Sequence, residues 1–120
     1  MRDFEAVEAY LNRLQMFGIK LGLDNIRSLL EALAPRWDRM RFLHIAGSNG
    51  KGSTGAMLQC MLREAGFSVG FYTSPHLISP RERIRIDGKA LSETAWCTAF
   101  ERVQAGAEAL LVRGVTPTYF

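Results

Sequence analysis

The stretch RFLHIAGSNGKGST, residues 41–54, decides the fold, because it joins an apolar run to a glycine-rich turn. The run ends in glycine, as a buried strand entering a tight turn does. Apolar residues then recur with a period of 3.6 as far as Gly66, which predicts a helix ending there. SVGFY, residues 68–72, predicts a second short buried strand. The order strand, glycine loop, helix, strand predicts a right-handed βαβ unit over 41–72.

Helices are predicted on both sides of this unit. Phe4, Val7, Leu11 and Leu14 recur at helical steps after Asp3, which can cap the helix. A second leucine-rich stripe ends before residue 35, and a long apolar stripe spans 93–113. The sequence therefore predicts a helical lead-in, then the βαβ unit, and then a final long helix.

An irregular loop and a hairpin are predicted between the second strand and the last helix. TSPHLISPRE, residues 73–82, is rich in proline and serine, which indicates a long loop. ERIRI then alternates charged and apolar residues before the turn dipeptide Asp87-Gly88. This alternation predicts an extended segment with Arg81, Arg83 and Arg85 on one face.

Composition limits the possible classes of protein. The chain has 120 residues, 48% of them hydrophobic, and a net charge of +3, which suits one globular domain at most. Its basic residues are scattered with no long run, so the charge does not indicate a nucleic-acid partner. No stretch of 18 uncharged apolar residues exists, and Cys60 and Cys97 lie far apart. We therefore expect no membrane partner and a reducing, cytoplasmic location.

The glycine loop carries the chemistry. Glycines at 47, 50 and 52 allow backbone N–H groups to approach a phosphate, and the helix that follows directs its positive end to the same place. Lys51 adds a mobile positive charge. The loop departs from the general pattern G-x-x-x-x-G-K-[ST], because its first glycine is too close and Gly52 follows the lysine. Its position between a strand and a helix still favours nucleotide binding over a simple glycine-rich turn.

HIAGSNGKGST, residues 44–54, resembles the ATP loop of the Mur ligase superfamily, in the form found in folylpolyglutamate synthase and dihydrofolate synthase. FGIKLGL, GFSVGFYTSPHL, ERIRIDGKALSE and the terminal PTYF resemble further blocks of that family in the same order. The resemblance implies an α/β fold: the N-terminal part, with an incomplete sheet, of a P-loop-type three-layer nucleotide-binding domain. Residues 1–40 would be a helical lead-in and 41–120 the first part of the ATP-binding central domain, the C-terminal domain being absent.

The resemblance also implies site residues. Lys51 would be catalytic, and Ser74 would bind Mg²⁺. The ATP phosphates would be held by Asn49, Gly50, Lys51, Gly52, Ser53 and Thr54. Folate or pteroate would be bound by Lys20, Leu21, Gly22, Ser74, Pro75, His76, Thr118, Tyr119 and Phe120.

The implied activity is ATP-dependent addition of L-glutamate to dihydropteroate or folates through an acyl phosphate, in an enzyme that is a monomer when full length. The resemblance leaves open whether the enzyme uses dihydropteroate, folates or both. One alternative is a non-catalytic ATP-binding fragment, and we expect the isolated chain to be inactive. A small kinase should carry the full general pattern, whereas a cell-wall Mur ligase is a nearer relative that the SPHL and ERIRI blocks disfavour.

Overall fold

The structure, a computed structural model, describes residues 3–15, 22–33 and 36–115. They fall in two compact units, a helical unit (Met1–Met40 with Glu93–Phe120) and a sheet unit (Arg41–Ser92). The helical unit contains α1 (Phe4–Gln15), α2 (Asp24–Leu33), a first 3₁₀ helix (Trp37–Arg39) and α4 (Glu93–Val112). The sheet unit contains α3 (Lys51–Glu64), β1 (Gly70–Tyr72), a second 3₁₀ helix (Pro80–Arg83), β2 (Ile84–Ile86) and β3 (Lys89–Ala90).

The helical unit is built on α4, which packs against both α1 and α2. Aromatic pairs join α1 to α4 edge to face: the rings of Tyr10 and Phe100 lie 5.3 Å apart, and those of Phe4 and Trp96 6.4 Å. Val7 is completely buried. Within the described ranges, none of the helices combines the length and apolar composition needed to cross a bilayer.

The start of α1 and the ends of α3 and α4 lie where the sequence predicts. The Ala6 N–H donates to Asp3 Oδ1 at 2.8 Å, so Asp3 caps α1 as expected. Gly66 follows α3 with a φ of +87°, and the Phe67 N–H donates back to the Leu62 carbonyl. The Gly66 N–H also donates to the Arg63 carbonyl, which completes a Schellman motif. The equivalent pair of hydrogen bonds, from Gly114 and Val115, ends α4.

The sheet unit contains one antiparallel sheet of order β1-β2-β3. Gly70 of β1 is opposite Ile86 of β2, and Ile86 is opposite Lys89 of β3. Asp87 and Gly88 both have positive φ, 51° and 81°, which suits the two-residue turn of a tight hairpin. The predicted hairpin is therefore present.

The predicted βαβ unit is wrong for the residues that the structure describes. Residues 41–46 form no strand, and β1 pairs antiparallel with β2 instead of parallel with that segment. Phe42 and Leu43 are 68% and 64% exposed. A buried parallel strand needs neighbours and covering helices on both faces. The three described strands pair only with one another, and residues 41–46 form a ladder with none of them.

The predicted arginine face is also wrong. Only residues 84–86 of ERIRI are extended, and Arg81 and Arg83 lie on the second 3₁₀ helix. That helix begins because Ser79 caps it, Pro80 occupies its first position and Glu82 completes a capping box. Local capping overrides the alternation of charged and apolar residues on which the prediction depended.

Candidate nucleotide site

The glycine loop leads directly into α3. The helix begins at Lys51, so Lys51 to Thr54 form its first turn, and Gly50 is the N-cap. Gly50 has a φ of +75°, a left-handed conformation that costs an L side chain about 1 kcal/mol. Glycine at this position lets the chain turn sharply into the helix.

The first turn of α3 presents unpaired amides. The first hydrogen bond of the helix runs from the Thr54 N–H to the Gly50 carbonyl at 2.9 Å. The N–H groups of Lys51, Gly52 and Ser53 have no acceptor among the described residues. Such orphan donors, together with the positive end of the helix dipole, form an anion-binding site.

The Lys51 side chain lies back across the loop. Its Nζ donates to the Gly47 carbonyl at 2.6 Å, and the residue is exposed. The ammonium group is therefore held at the glycine loop by the Gly47 carbonyl while it stays accessible to solvent. An incoming phosphate oxygen would exchange this neutral acceptor for a charged one, and charge-assisted hydrogen bonds are about twice as strong.

Open space lies in front of Gly52. A β-carbon built there meets no atom within 4 Å outside its own local backbone. The backbone of Gly52 also has no left-handed φ that would demand glycine. The fold of the free chain therefore gives no reason for glycine here, whereas the close approach of a phosphate to the amide does.

Close packing places β1 against α3. A β-carbon at Gly55, one turn after Lys51, would lie 2.6 Å from the Phe71 ring and 3.3 Å from Ile45. The missing side chain therefore lets the strand that leads to Ser74 approach the helix that carries Lys51. Gly55 is a site-forming residue that sequence reasoning missed, and nothing in the local pattern distinguishes it.

The loop after β1 holds Ser74, Pro75 and His76 in one connected segment. Ser74 and Pro75 are exposed, and the peptide bond between them is cis. His76 is half-buried, and its Nδ1 accepts a hydrogen bond from Arg83 Nε at 2.8 Å. The structure thus orients the imidazole through Arg83, one of the three arginines that the sequence predicted on one face of an extended segment.

Comparisons with known proteins point to one family. The dihydrofolate synthase/folylpolyglutamate synthase of Bacillus subtilis is 36% identical over 107 residues, covering 89% of this chain and 25% of that protein. The folylpolyglutamate synthetase of Lactobacillus casei superposes with a TM-score of 0.89 at 30% identity, covering 99% of this chain and 30% of that one. The chain belongs to the folylpolyglutamate synthase/dihydrofolate synthase family. The predicted resemblance is confirmed.

Another solved member of this family is the bifunctional enzyme of Yersinia pestis in complex with AMPPNP and a Mn ion. It superposes with a TM-score of 0.83 at 36% identity, covering all of this chain and 28% of that one. No protein-family model matches the chain. The chain spans a quarter or less of the length of the curated relatives it matches. These superpositions confirm the predicted α/β fold of the Mur ligase kind.

The described residues offer Mg²⁺ only a partial site. They contain no group of three or more His, Cys, Asp or Glu side chains placed to hold a metal ion. Ser74 can supply one hydroxyl oxygen, a hard ligand of the type that Mg²⁺ accepts. Because Mg²⁺ in nucleotide sites keeps several waters and binds substrate phosphates, one protein oxygen from this chain is compatible with such a site.

The remaining predicted site residues divide between the two units. Asn49 to Thr54 and the segment Ser74 to His76 belong to the sheet unit, whereas Gly22 belongs to the helical unit and has a φ of +120°. The other predicted folate residues lie outside the described ranges: Lys20, Leu21, Thr118, Tyr119 and Phe120.

Sequence reasoning also missed Glu82. Its carboxylate accepts hydrogen bonds from the amides of Leu77, Ile78 and Ser79, all between 2.8 and 3.0 Å. These donors stabilise the charged form and lower the pKa of Glu82 from 4.5 to about 2. A signal was present, because a serine followed three residues later by glutamate, as at 79 and 82, is the pattern of a capping box.

Proposed function

We propose that residues 47–54 bind the phosphates of ATP in an enzyme that adds L-glutamate to dihydropteroate or folate. The observation that carries the proposal is the first turn of α3, where three amides have no acceptor among the described residues and the space beside Gly52 is open. The Lys51 ammonium is held at the adjoining loop by the Gly47 carbonyl. Asn49, Gly50, Gly52, Ser53 and Thr54 complete the proposed phosphate cradle. The ligand-bound Yersinia pestis relative supports the same nucleotide class.

The chemistry requires a nucleotide site but no side-chain nucleophile. A carboxylate oxygen of the acceptor attacks the γ phosphorus of ATP, the bond to the β,γ-bridging oxygen breaks, and ADP leaves. The amine of L-glutamate then attacks the acyl carbon, loses a proton, and displaces inorganic phosphate. The contribution of this chain is positioning and charge neutralisation, which account for most of the catalysis in phosphoryl transfer.

Lys51 would act on the transferred phosphoryl group. Its ammonium can leave the Gly47 carbonyl and follow the charge that develops on the phosphate oxygens, because the lysine stem is flexible and its three donors rotate. Mg²⁺, when bound at the Ser74 hydroxyl, would neutralise further phosphate charge. Ser74, Pro75 and His76, with Gly22 and the residues predicted at 20–21 and 118–120, would bind the pterin or folate.

The cellular setting is also part of the proposal. Cys60 and Cys97 are both free thiols, which supports a reducing cytoplasm. The acceptor, L-glutamate and ATP would be small-molecule partners, and the parent enzyme a monomer. Residues 1–40 would be the lead-in and 41–120 the first part of the ATP-binding domain.

Calorimetric titration with AMPPNP tests the nucleotide site. Lys51→Ala should weaken binding about tenfold to a hundredfold, because a charged hydrogen-bond donor is lost. Lys89→Ala removes the same charge from an exposed position in β3 and is the matched control, expected to bind as the unchanged chain does. Equal affinity in Lys51→Ala would contradict the assignment.

An assay for incorporation of labelled L-glutamate separates catalysis from binding. It is run with ATP and either dihydropteroate or folate. Ligation that requires Lys51 would support the enzyme and identify its acceptor. Nucleotide binding without ligation would favour the alternative, a non-catalytic ATP-binding piece of such an enzyme.

A further inference from the structure

A single carboxylate holds the loop between β1 and the second 3₁₀ helix. Leu77 N–H donates to Glu82 Oε2 at 3.0 Å, and Ile78 and Ser79 donate to Oε1 at 2.9 and 2.8 Å. Hydrogen bonds to an ionised acceptor are the strong ones in proteins. Three consecutive amides bound to one side chain fix the backbone of this segment relative to the helix.

The beginning of the loop is anchored to the same helix. The Thr73 N–H donates to the Arg83 carbonyl at 2.9 Å, and the Arg83 guanidinium donates to His76. Ser74 therefore lies between an anchored backbone on one side and an anchored imidazole on the other. The second 3₁₀ helix contacts the loop on both sides of Ser74.

Side-chain burial cannot hold this loop. Leu77 is 92% exposed and Ile78 is 89% exposed, and Ser74 and Pro75 are exposed as well. An apolar core contact would normally order such a segment, but here the apolar side chains face solvent. The order of the loop therefore depends on the polar contacts with Glu82 and Arg83.

We infer that Glu82 is a positioning residue, which presents Ser74 and His76 to the ligand by holding residues 73–79 against the second 3₁₀ helix. The inference rests on the proposed function for its effect on ligand binding. The hydrogen bonds between Glu82 and the loop, in contrast, lie within the chain and need no ligand. The contacts of Glu82 are with the loop itself, since both oxygens of its carboxylate accept hydrogen bonds from backbone amides.

Amide hydrogen exchange on the whole chain measures the holding directly. In Glu82→Gln, the side chain keeps one acceptor oxygen but turns an NH₂ donor toward an amide donor. We expect exchange at residues 77–79 to quicken about tenfold or more, while α3 keeps its protection. Glu64→Gln is the matched control, since Glu64 is exposed at the end of α3. Unchanged exchange at 77–79 in Glu82→Gln would overturn the inference.

Glu82→Asp is the second variant, for the case in which Glu82→Gln does not fold and its amides exchange rapidly throughout the chain. Aspartate retains the charge but sets the carboxylate back by one methylene, so it cannot reach all three amides. We expect faster exchange at 77–79 with α3 still protected. Wild-type exchange throughout the loop in this variant would count against a role that depends on the reach of Glu82.

Nucleotide binding tests the consequence for the site. The affinity of the chain for AMPPNP is measured with and without Mg²⁺. The affinity with Mg²⁺ divided by the affinity without it gives the contribution of the metal. Glu82→Gln should reduce this ratio about tenfold, as we also expect for Ser74→Ala, and change metal-free affinity less than about twofold. A wild-type ratio in a Glu82→Gln variant whose loop has loosened would overturn the positioning role.

The two hypotheses fail differently. A wild-type chain that binds no nucleotide contradicts the proposed function, yet Glu82 still holds the loop if exchange responds as expected. A chain that binds nucleotide normally while exchange at 77–79 ignores Glu82 contradicts only the inference.

Discussion

Substituting Gly52 separates the needs of the fold from those of the ligand. In Gly52→Ala, the new methyl group meets no atom within 4 Å outside its two chain neighbours and the backbone of its own helix. The residue lies in the first turn of α3 and has no left-handed φ. Alanine is favoured over glycine within helices by up to about 1 kcal/mol. The free energy of unfolding should therefore stay the same or rise by up to about 1 kcal/mol.

The same methyl group should obstruct a phosphate. Each Cα–Cβ bond in an α-helix tilts toward the N-terminus, so the alanine methyl group would point toward the end of the helix that carries the free amides. A phosphate oxygen must come within about 3 Å of an amide nitrogen to accept its hydrogen bond. Loss of one such charge-assisted bond corresponds to a fall in affinity of about tenfold to a hundredfold.

Gly55→Ala provides the comparison. Its methyl group would overlap the Phe71 ring, which must move, and overpacking of this kind costs about 1–3 kcal/mol. Part of this cost is offset by the helix propensity of alanine. We expect Gly55→Ala to lose stability, whereas Gly52→Ala loses nucleotide affinity without losing stability.

Urea denaturation followed by circular dichroism gives the stabilities, and calorimetric titration with AMPPNP gives the affinities. Wild-type affinity in Gly52→Ala would show that phosphates do not approach this part of the helix. A large fall in its stability would show that the space beside residue 52 is not open in solution. Either result would refute the argument that the ligand, not the fold, requires glycine here.

Three further predictions concern charge and packing. Carbon-13 NMR should show the Glu82 carboxyl titrating near pH 2, and a midpoint near 4.5 would show that the amide contacts are absent. The ionised carboxylate should therefore stabilise the fold above pH 4.5, and this contribution should be lost as the pH falls through about 2. Asp87→Asn should lower the urea midpoint, because the Val69 amide and the Ser68 hydroxyl donate to that carboxylate and lower its pKa; an unchanged midpoint contradicts this. Val7→Ala should cost about 2 kcal/mol of unfolding free energy, whereas Val112→Ala, at a 90% exposed position, should cost almost nothing, and equal costs would argue against the described core.

The sequence predicted those elements that local patterns determine. The cap at Asp3, the end of α3 at Gly66 and the hairpin turn at Asp87-Gly88 each depend on residues within a few positions of one another. The glycine loop before α3 could be predicted for the same reason. These features form wherever the local residues have the required backbone conformation and hydrogen-bonding groups.

Pairing between distant segments could not be predicted in the same way. The apolar run 41–46 has the composition of a buried strand, but composition does not specify its partner, and β1 pairs with β2. Gly55 has no local signature, because its role depends on Phe71 lying against α3. Glu82 had a signature in the capping box, but the alternation of ERIRI predicted a strand over the same residues. In that competition, the local cap determined the structure.

Residues 77–79 and residues 51–53 of the sheet unit use their backbone amides in opposite ways. At 77–79, three consecutive amides already bind a carboxylate of the chain, so that segment has no donors to offer an anion. At 51–53, three consecutive amides have no acceptor among the described residues, and the nearby Lys51 ammonium donates to the Gly47 carbonyl. A phosphate therefore finds strong donors at the start of α3 and none at Leu77 to Ser79. This difference in occupancy explains why an anionic ligand should select the glycine loop, while the neighbouring loop remains rigid enough to present its side chains.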